Sequence, residues 1–158
     1  MIPLNSEPSS RKKTVFKTSI HHLSMNILKS LLVWLCFIPI AILNGGFREH
    51  ILQPIWGTRW ALPLSGIILS ILIFIATWTF LPRLGKFKQS DSYLIAFLWV
   101  VLTIIFEFSF GLSNGLTLMS LLQAYNPANG NLWILVVAST ACSPILSTYF
   151  QSKRHSRA

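Results

Sequence analysis

The sequence predicts an all-α protein, a four-transmembrane-helix bundle, and three observations carry that prediction. Of its 158 residues, 53% are hydrophobic and 11% charged, where a soluble domain carries about 25% charged residues. Four apolar runs of spanning length follow one another, at Met25–Leu43, Trp60–Leu81, Tyr93–Gly111 and Leu132–Phe150, each near the ~20 residues that carry a helix across ~30 Å of hydrocarbon. None of them alternates as a barrel strand does, and a helix satisfies its own backbone N–H and C=O groups where lipid offers no partner. The chain divides into a basic N-terminal tail (1–24), a four-helix domain (25–150) and a basic C-terminal tail (151–158).

Taken in order, the first run follows Arg11, Lys12, Lys13 and Lys17 but is longer than the ~7–15 apolar residues of a cleaved signal and lacks a small-residue cleavage site. It reads as a retained anchor. The connection NGGFREHILQPIWGTRW then places Phe47, Ile51, Leu52 and Ile55 at helical spacing beside Arg48, Glu49 and Gln53, which predicts a short interfacial helix ended by Pro54. After the second and third runs, LTLMSLLQAY predicts a second interfacial segment, with Leu118, Leu121, Leu122 and Tyr125 facing lipid or the bundle, and NPANGN at 126–131 is a turn. Pro39 and Pro144 fall inside runs, where each removes a helical hydrogen bond and bends the helix.

Eleven of the 13 basic residues lie in the N-terminal segment with Lys29, in the second connection (Arg83, Lys86, Lys88) and in the C-terminal tail (Lys153, Arg154, Arg157). By the positive-inside rule both termini and that connection are cytoplasmic, an N-in/C-in protein of the bacterial cytoplasmic membrane. The net charge of +9 is then a topology signal, and it calls for the lipid bilayer as partner and no nucleic acid. Trp56, Trp60 and Trp133 mark the outer boundary, Trp78, Tyr93 and Tyr149 the inner one, while Trp34 and Trp99 lie deeper, as packing residues.

Cys36 and Cys142 sit near the middle of the first and fourth runs with no clustered His or carboxylate, so they read as small packing residues, and neither metal nor other cofactor is predicted. His50 beside Glu49, and the pair His21-His22, have no nucleophile or further ligand nearby in sequence. They read as solvated, which argues against an enzyme.

The two outer connections also align. Asn44-Gly45 and Leu52-Gln53 match Asn114-Gly115 and Leu122-Gln123 at an offset of 70, and Gly57 and Trp60 match Gly130 and Trp133 at 73. That is the pattern of a parallel two-hairpin repeat about an axis along the membrane normal. NGGFRE followed by P and G, then FEFSFG, then a Leu-Leu and Tyr-Asn segment leading to G-x-LW and a helix with Pro near its end resembles a family of small bacterial four-helix membrane proteins with no assigned activity. The resemblance covers roughly Ala41 to Leu146. The family pattern carries a His-Tyr pair after the FEFxFG glycine, an acidic residue before the tyrosine and an Arg before LW; here Leu112-Ser113, Ala124 and Asn131 stand in those places.

The candidate site centres on Glu107, a carboxylate within TIIFEFSFG. Four residues before Gly111, it lies about 6 Å below the outer end of its helix by helical rise. Thr103, Glu107, Gly111 and Asn114 form one helical stripe, which predicts that they face the bundle. An acidic group at such depth must be paired, protonated or hydrated. The cations within reach are Arg48 and Arg59, and the sequence favours an Arg48–Glu107 ion pair, an outer clamp supported by Glu49, Arg59, Thr103 and Asn114. The predicted role is a non-enzymatic accessory or structural component that binds other membrane helices or copies of itself. Gly66 with Ser70, and Ala138, Ser139, Cys142 and Ser143, provide small faces for that. The alternatives are a small oligomeric transporter or channel using Glu107 and Arg48, and, less favoured, a membrane-embedded enzyme.

Overall fold

A computed structural model describes residues 25–85, 87–126 and 131–155. The basic stretch before Met25 with His21-His22, Lys86, most of the 126–131 turn with Gly130, and the last three residues therefore lie outside the described residues. Helix α1 occupies 25–35. It is followed by α2 (Phe37–Phe47), a π turn (Arg48–Leu52), α3 (Gln53–Leu84), α4 (Gln89–Ser113), α5 (Leu118–Gln123) and α6 (Trp133–His155), with no strand among the described residues. Three helical runs are long and apolar enough to cross a membrane: Met25–Leu84, Gln89–Ser113 and Trp133–Lys153.

The first of these runs has 60 residues, and it folds back on itself. Asn44 Nδ2 donates to the Ser65 carbonyl at 3.2 Å, although a straight helix would hold residues so far apart in sequence at about 32 Å. The reversal falls where regular helix is interrupted. In the π turn the Gln53 N–H reaches back to the Arg48 carbonyl, one residue further than in an α-helix. Pro54 follows at once, in the first turn of α3. The break itself is Gly57, at φ 71° and ψ 164°, a conformation essentially reserved for glycine. The predicted stop at Pro54 is thus corrected to Gly57: the helical run carries on through Pro54, which follows directly on the π turn where the regular bonding pattern has already shifted. The predicted first interfacial helix is likewise continuous with α2, with Leu52 buried and Phe47, Ile51 and Ile55 exposed. Upstream, Pro39 has no N–H for the Leu35 carbonyl, and the helix pattern lapses at Cys36, whose N–H turns to the Val33 carbonyl at 3.1 Å.

Cross-bundle contacts set the helix directions. Asn26 Nδ2 donates to Asp91 Oδ2 at 3.0 Å and Trp34 Nε1 to Thr103 Oγ1 at 3.0 Å, so the α1–α2 arm runs parallel to α4. Thr77 Oγ1 bonds Ser143 Oγ at 3.1 Å, and a Cβ on Gly66 would stand 3.2 Å from Leu132 Cβ, so α3 runs parallel to α6. Helix α6 packs against both α3 and α4. The core gathers around the fully buried Trp99, which Phe37 meets edge-on at 5.1 Å, with Trp34, Leu69, Ile73 and Val136.

Buried hydroxyls line the α3–α6 contact without orphaning a proton: Ser70, Thr77 and Thr140 each donate to a carbonyl one turn back, at 2.8, 2.8 and 2.9 Å. Such small polar residues let helices approach closely. The outer surface is apolar, with Leu28, Leu32, Ile71, Ile75, Phe97 and Ile105 exposed. Both cysteines are free thiols, Cys36 half-buried and Cys142 exposed.

The residues matched between the two outer connections occupy different settings. Asn44 is buried within α2 while Asn114 is exposed at the end of α4, and Leu52 is buried while Leu122 is 58% exposed.

Candidate functional site

The site is built by the way α4 ends. Gly115, at φ 81°, sends its N–H to the Leu112 carbonyl while the Leu116 N–H returns to Gly111, both at 3.0 Å. These are the two bonds of a Schellman stop, and glycine accommodates its left-handed residue. Thr117 then caps α5, its hydroxyl accepting from the Ser120 N–H at 3.2 Å. The reversed segment lies back along α4. At Gly111 an added Cβ would stand 2.5 Å from Leu121 Cδ2, so the missing side chain is what admits the buried Leu121. Of the four α5-region residues singled out in the sequence, Leu121 is buried, Tyr125 is half-buried, and Leu118 and Leu122 are exposed.

Tyr125, just beyond α5, reaches Glu107 and donates its phenolic hydrogen to Oε2. Burial pushes the Tyr125 phenol well above its usual range, and the adjacent Glu107 carboxylate pushes it further. The Trp133 indole stands beside both groups and directs its N–H toward them, short of the alignment of a full hydrogen bond. Asn131 accepts the Trp133 backbone N–H at 3.1 Å and so holds the first turn of α6.

Arg48 does not pair with Glu107. Its Nη2 donates to Glu49 Oε1 at 3.1 Å, and its Nε is buried without a partner. The predicted clamp is replaced by two separate contacts, Arg48–Glu49 and Tyr125–Glu107. The neighbouring Glu49 is the nearer acceptor for Arg48, and the returning α5 segment brings Glu107 a neutral donor of its own.

Both contacts nonetheless border one space. A cavity of about 580 Å3 is walled by residues from every helix and from the π turn, among them Trp34, Phe37, Ile73, Phe106, Leu121 and Val136. Arg48, Glu49, Thr103, Glu107 and Asn114 all line it, as does Gly111, so the whole predicted stripe of α4 faces inward. Glu49 and Asn114 are exposed as well, and mark the end at which the cavity opens. Arg59 is exposed and outside it. Gly45 and Gly46 line the cavity with no atom within 4 Å of where a Cβ would sit.

Two residues of the site escape the sequence reading. Tyr125 reads there as one more apolar face, and Trp133 as a boundary anchor, whereas it is half-buried on the cavity wall. Their signal lies in polar tips on aromatic bodies, which need partners when buried. No family model, curated protein or solved structure matches this chain.

Proposed function

We propose that this chain is a non-enzymatic integral membrane protein of the bacterial cytoplasmic membrane, crossing four times with both ends inside, that holds a small amphipathic molecule in the cavity at its outer end. One observation carries the proposal. The cavity of about 580 Å3 falls within the ~300–1,000 Å3 of ligand pockets, with largely aliphatic and aromatic walls and charged groups confined to Arg48, Glu49 and Glu107. The four crossings follow if the folded-back run Met25–Leu84 spans twice. The parallel courses of the α1–α2 arm with α4, and of α3 with α6, support a two-hairpin arrangement, in keeping with the resemblance to the small bacterial four-helix family.

Reporter fusions at Ala158 and Asn129 test the topology: cytoplasmic and external readings are expected, and the reverse overturns it. Binding is tested in lipid nanodiscs with an amphiphile brominated on its dodecyl chain. It should quench the cavity indoles of Trp34 and Trp133 saturably. Gly45→Phe, which projects a ring into open space, should abolish the saturable part while the unfolding temperature holds. Non-saturating quenching in the native chain overturns the binding function.

A second reading, an accessory component docking on other helices or on its own copies, is favoured by Ala138 and Cys142, small, exposed and one turn apart on α6. Disulfide trapping between Cys142 residues of neighbouring copies in native membranes tests it.

A further inference from the structure

Resting on the reading that the cavity holds an amphiphile, we propose that the cavity is a slot open to the bilayer between α2 and α4, and that its occupant is one hydrocarbon chain of an outer-leaflet phospholipid. Helix packing closes the bundle on three sides, α2 on α3, α3 on α6 and α6 on α4. The fourth side is joined differently. Among the described residues, the α1–α2 arm meets α4 through Asn26–Asp91, Trp34–Thr103 and the edge contact of Phe37 with Trp99, and α2 and α4 share no packing on the scale of the other three sides. Beyond Phe37 the cavity takes over. Ile38, Ala41 and Ile42 of α2 and Phe106 and Phe110 of α4 line it, and Ile42 and Phe110 are exposed as well, so they form its rims on the lipid side.

The dimensions name the occupant. Trp34 and Thr103, hydrogen-bonded to each other, mark the inner end of the cavity. From Thr103 to Asn114 at its open end it follows α4 for about 16 Å by helical rise, close to the ~15 Å that one leaflet contributes to ~30 Å of hydrocarbon. The slot thus has the depth of one leaflet. Polar side chains along it already hold protein partners: Thr103 accepts from Trp34, Thr140 donates to the Val136 carbonyl, and Tyr125 donates to Glu107. The rest of the wall is mostly aliphatic and aromatic. Left empty beside lipid, such a slot forfeits dispersion contacts on both walls, and a hydrocarbon chain restores them. Because the slot is open along its side, a two-chain lipid can lodge one chain there and leave the other in the bilayer.

A phosphatidylcholine with a diazirine at the end of one chain, built into nanodiscs with the full-length protein and photoactivated, tests this. Adducts should form on Trp34 and Phe37, whose buried side chains lipid around the bundle does not reach, and a diazirine placed beside the ester should instead label Gly45, Gly46 and Phe110. Gly45→Phe, which puts a ring where no atom lies within 4 Å of the Cβ position, should remove the adducts on Trp34 and Phe37 and spare those on the outward Leu28 and Phe97. Retention of the buried adducts in a folded Gly45→Phe protein overturns the proposal. So does the reverse order of depth in the native chain, a comparison that stands should the variant fail to fold. Adducts on Trp34 and Phe37 from a single-chain dodecyl probe but not from phosphatidylcholine overturn it as well, and leave the amphiphile reading intact. Adducts there from neither probe overturn both.

Discussion

The phenolic hydrogen of Tyr125 is donated to the Glu107 carboxylate, and this contact, not an arginine, holds the one acidic side chain within α4 beyond its first turn. It depends on a chain of local causes. A Schellman stop at Gly115 turns the backbone, Thr117 restarts a short helix, and Gly111 leaves room for Leu121.

Tyr125→Phe should lower the unfolding free energy in detergent by about 1–3 kcal/mol, because the Glu107 carboxylate loses its donor. Glu107→Gln should cost less, since its amide oxygen still accepts. In a double-mutant cycle these two should be non-additive, whereas Arg48→Ala with Glu107→Gln should add within about 0.5 kcal/mol. Additivity of the first pair, or coupling in the second, would restore the arginine clamp.

Alkaline pH gives an independent reading. Tyr125 keeps its proton to higher pH folded than unfolded, so above the ordinary phenol value of about 10 the native state binds more protons. Stability from this group is complete below that pH and falls as pH rises beyond it. The unfolding midpoint of the native chain should therefore decline more steeply above about pH 10 than that of Tyr125→Phe. Parallel declines would mean that Tyr125 is not buried against Glu107.

Gly57→Ala should destabilise by about 1–3 kcal/mol, since φ 71° with ψ 164° is open to glycine alone. Chemical denaturation checks it. A neutral effect would place the reversal of the first run elsewhere.

Gly111→Ala puts a methyl group 2.5 Å from Leu121 Cδ2 and should loosen α5, raising hydrogen exchange across Leu118–Gln123. Gly111→Ala with Leu121→Ala should return part of the protection lost to the clash. If Gly111→Ala alone leaves exchange unchanged, the close contact is not formed.

What the sequence makes legible follows the strength of each physical signal. Apolar length reveals the helices, and the spacing of Thr103, Glu107, Gly111 and Asn114 by four, four and three residues places them on the face that lines the cavity. Tyr125 as the partner of Glu107 is not legible, because it depends on a reversal set by backbone hydrogen bonds at Gly115 and not on periodicity. The Pro54 signal is sound as chemistry but misplaced by three residues: proline and glycine both punctuate that connection, and only the backbone angle at Gly57 decides which one breaks the helix. The matched pairs Asn44/Asn114 and Leu52/Leu122 show that identical residues at a fixed offset carry no guarantee of equal burial.

Photo-crosslinking shows whether the bundle receives a chain-bearing molecule inside it and not only around it. A dodecanoyl glycerol ester with a diazirine on its chain would be activated in nanodiscs holding the full-length protein, and the adducts mapped by peptide mass spectrometry. Adducts should concentrate on Trp34–Ile38 and Phe106–Phe110, and vanish with excess unlabelled ester. Adducts confined to the outward side chains of Leu28, Ile71 and Phe97, undiminished by the competitor, would mean that the cavity holds no such molecule.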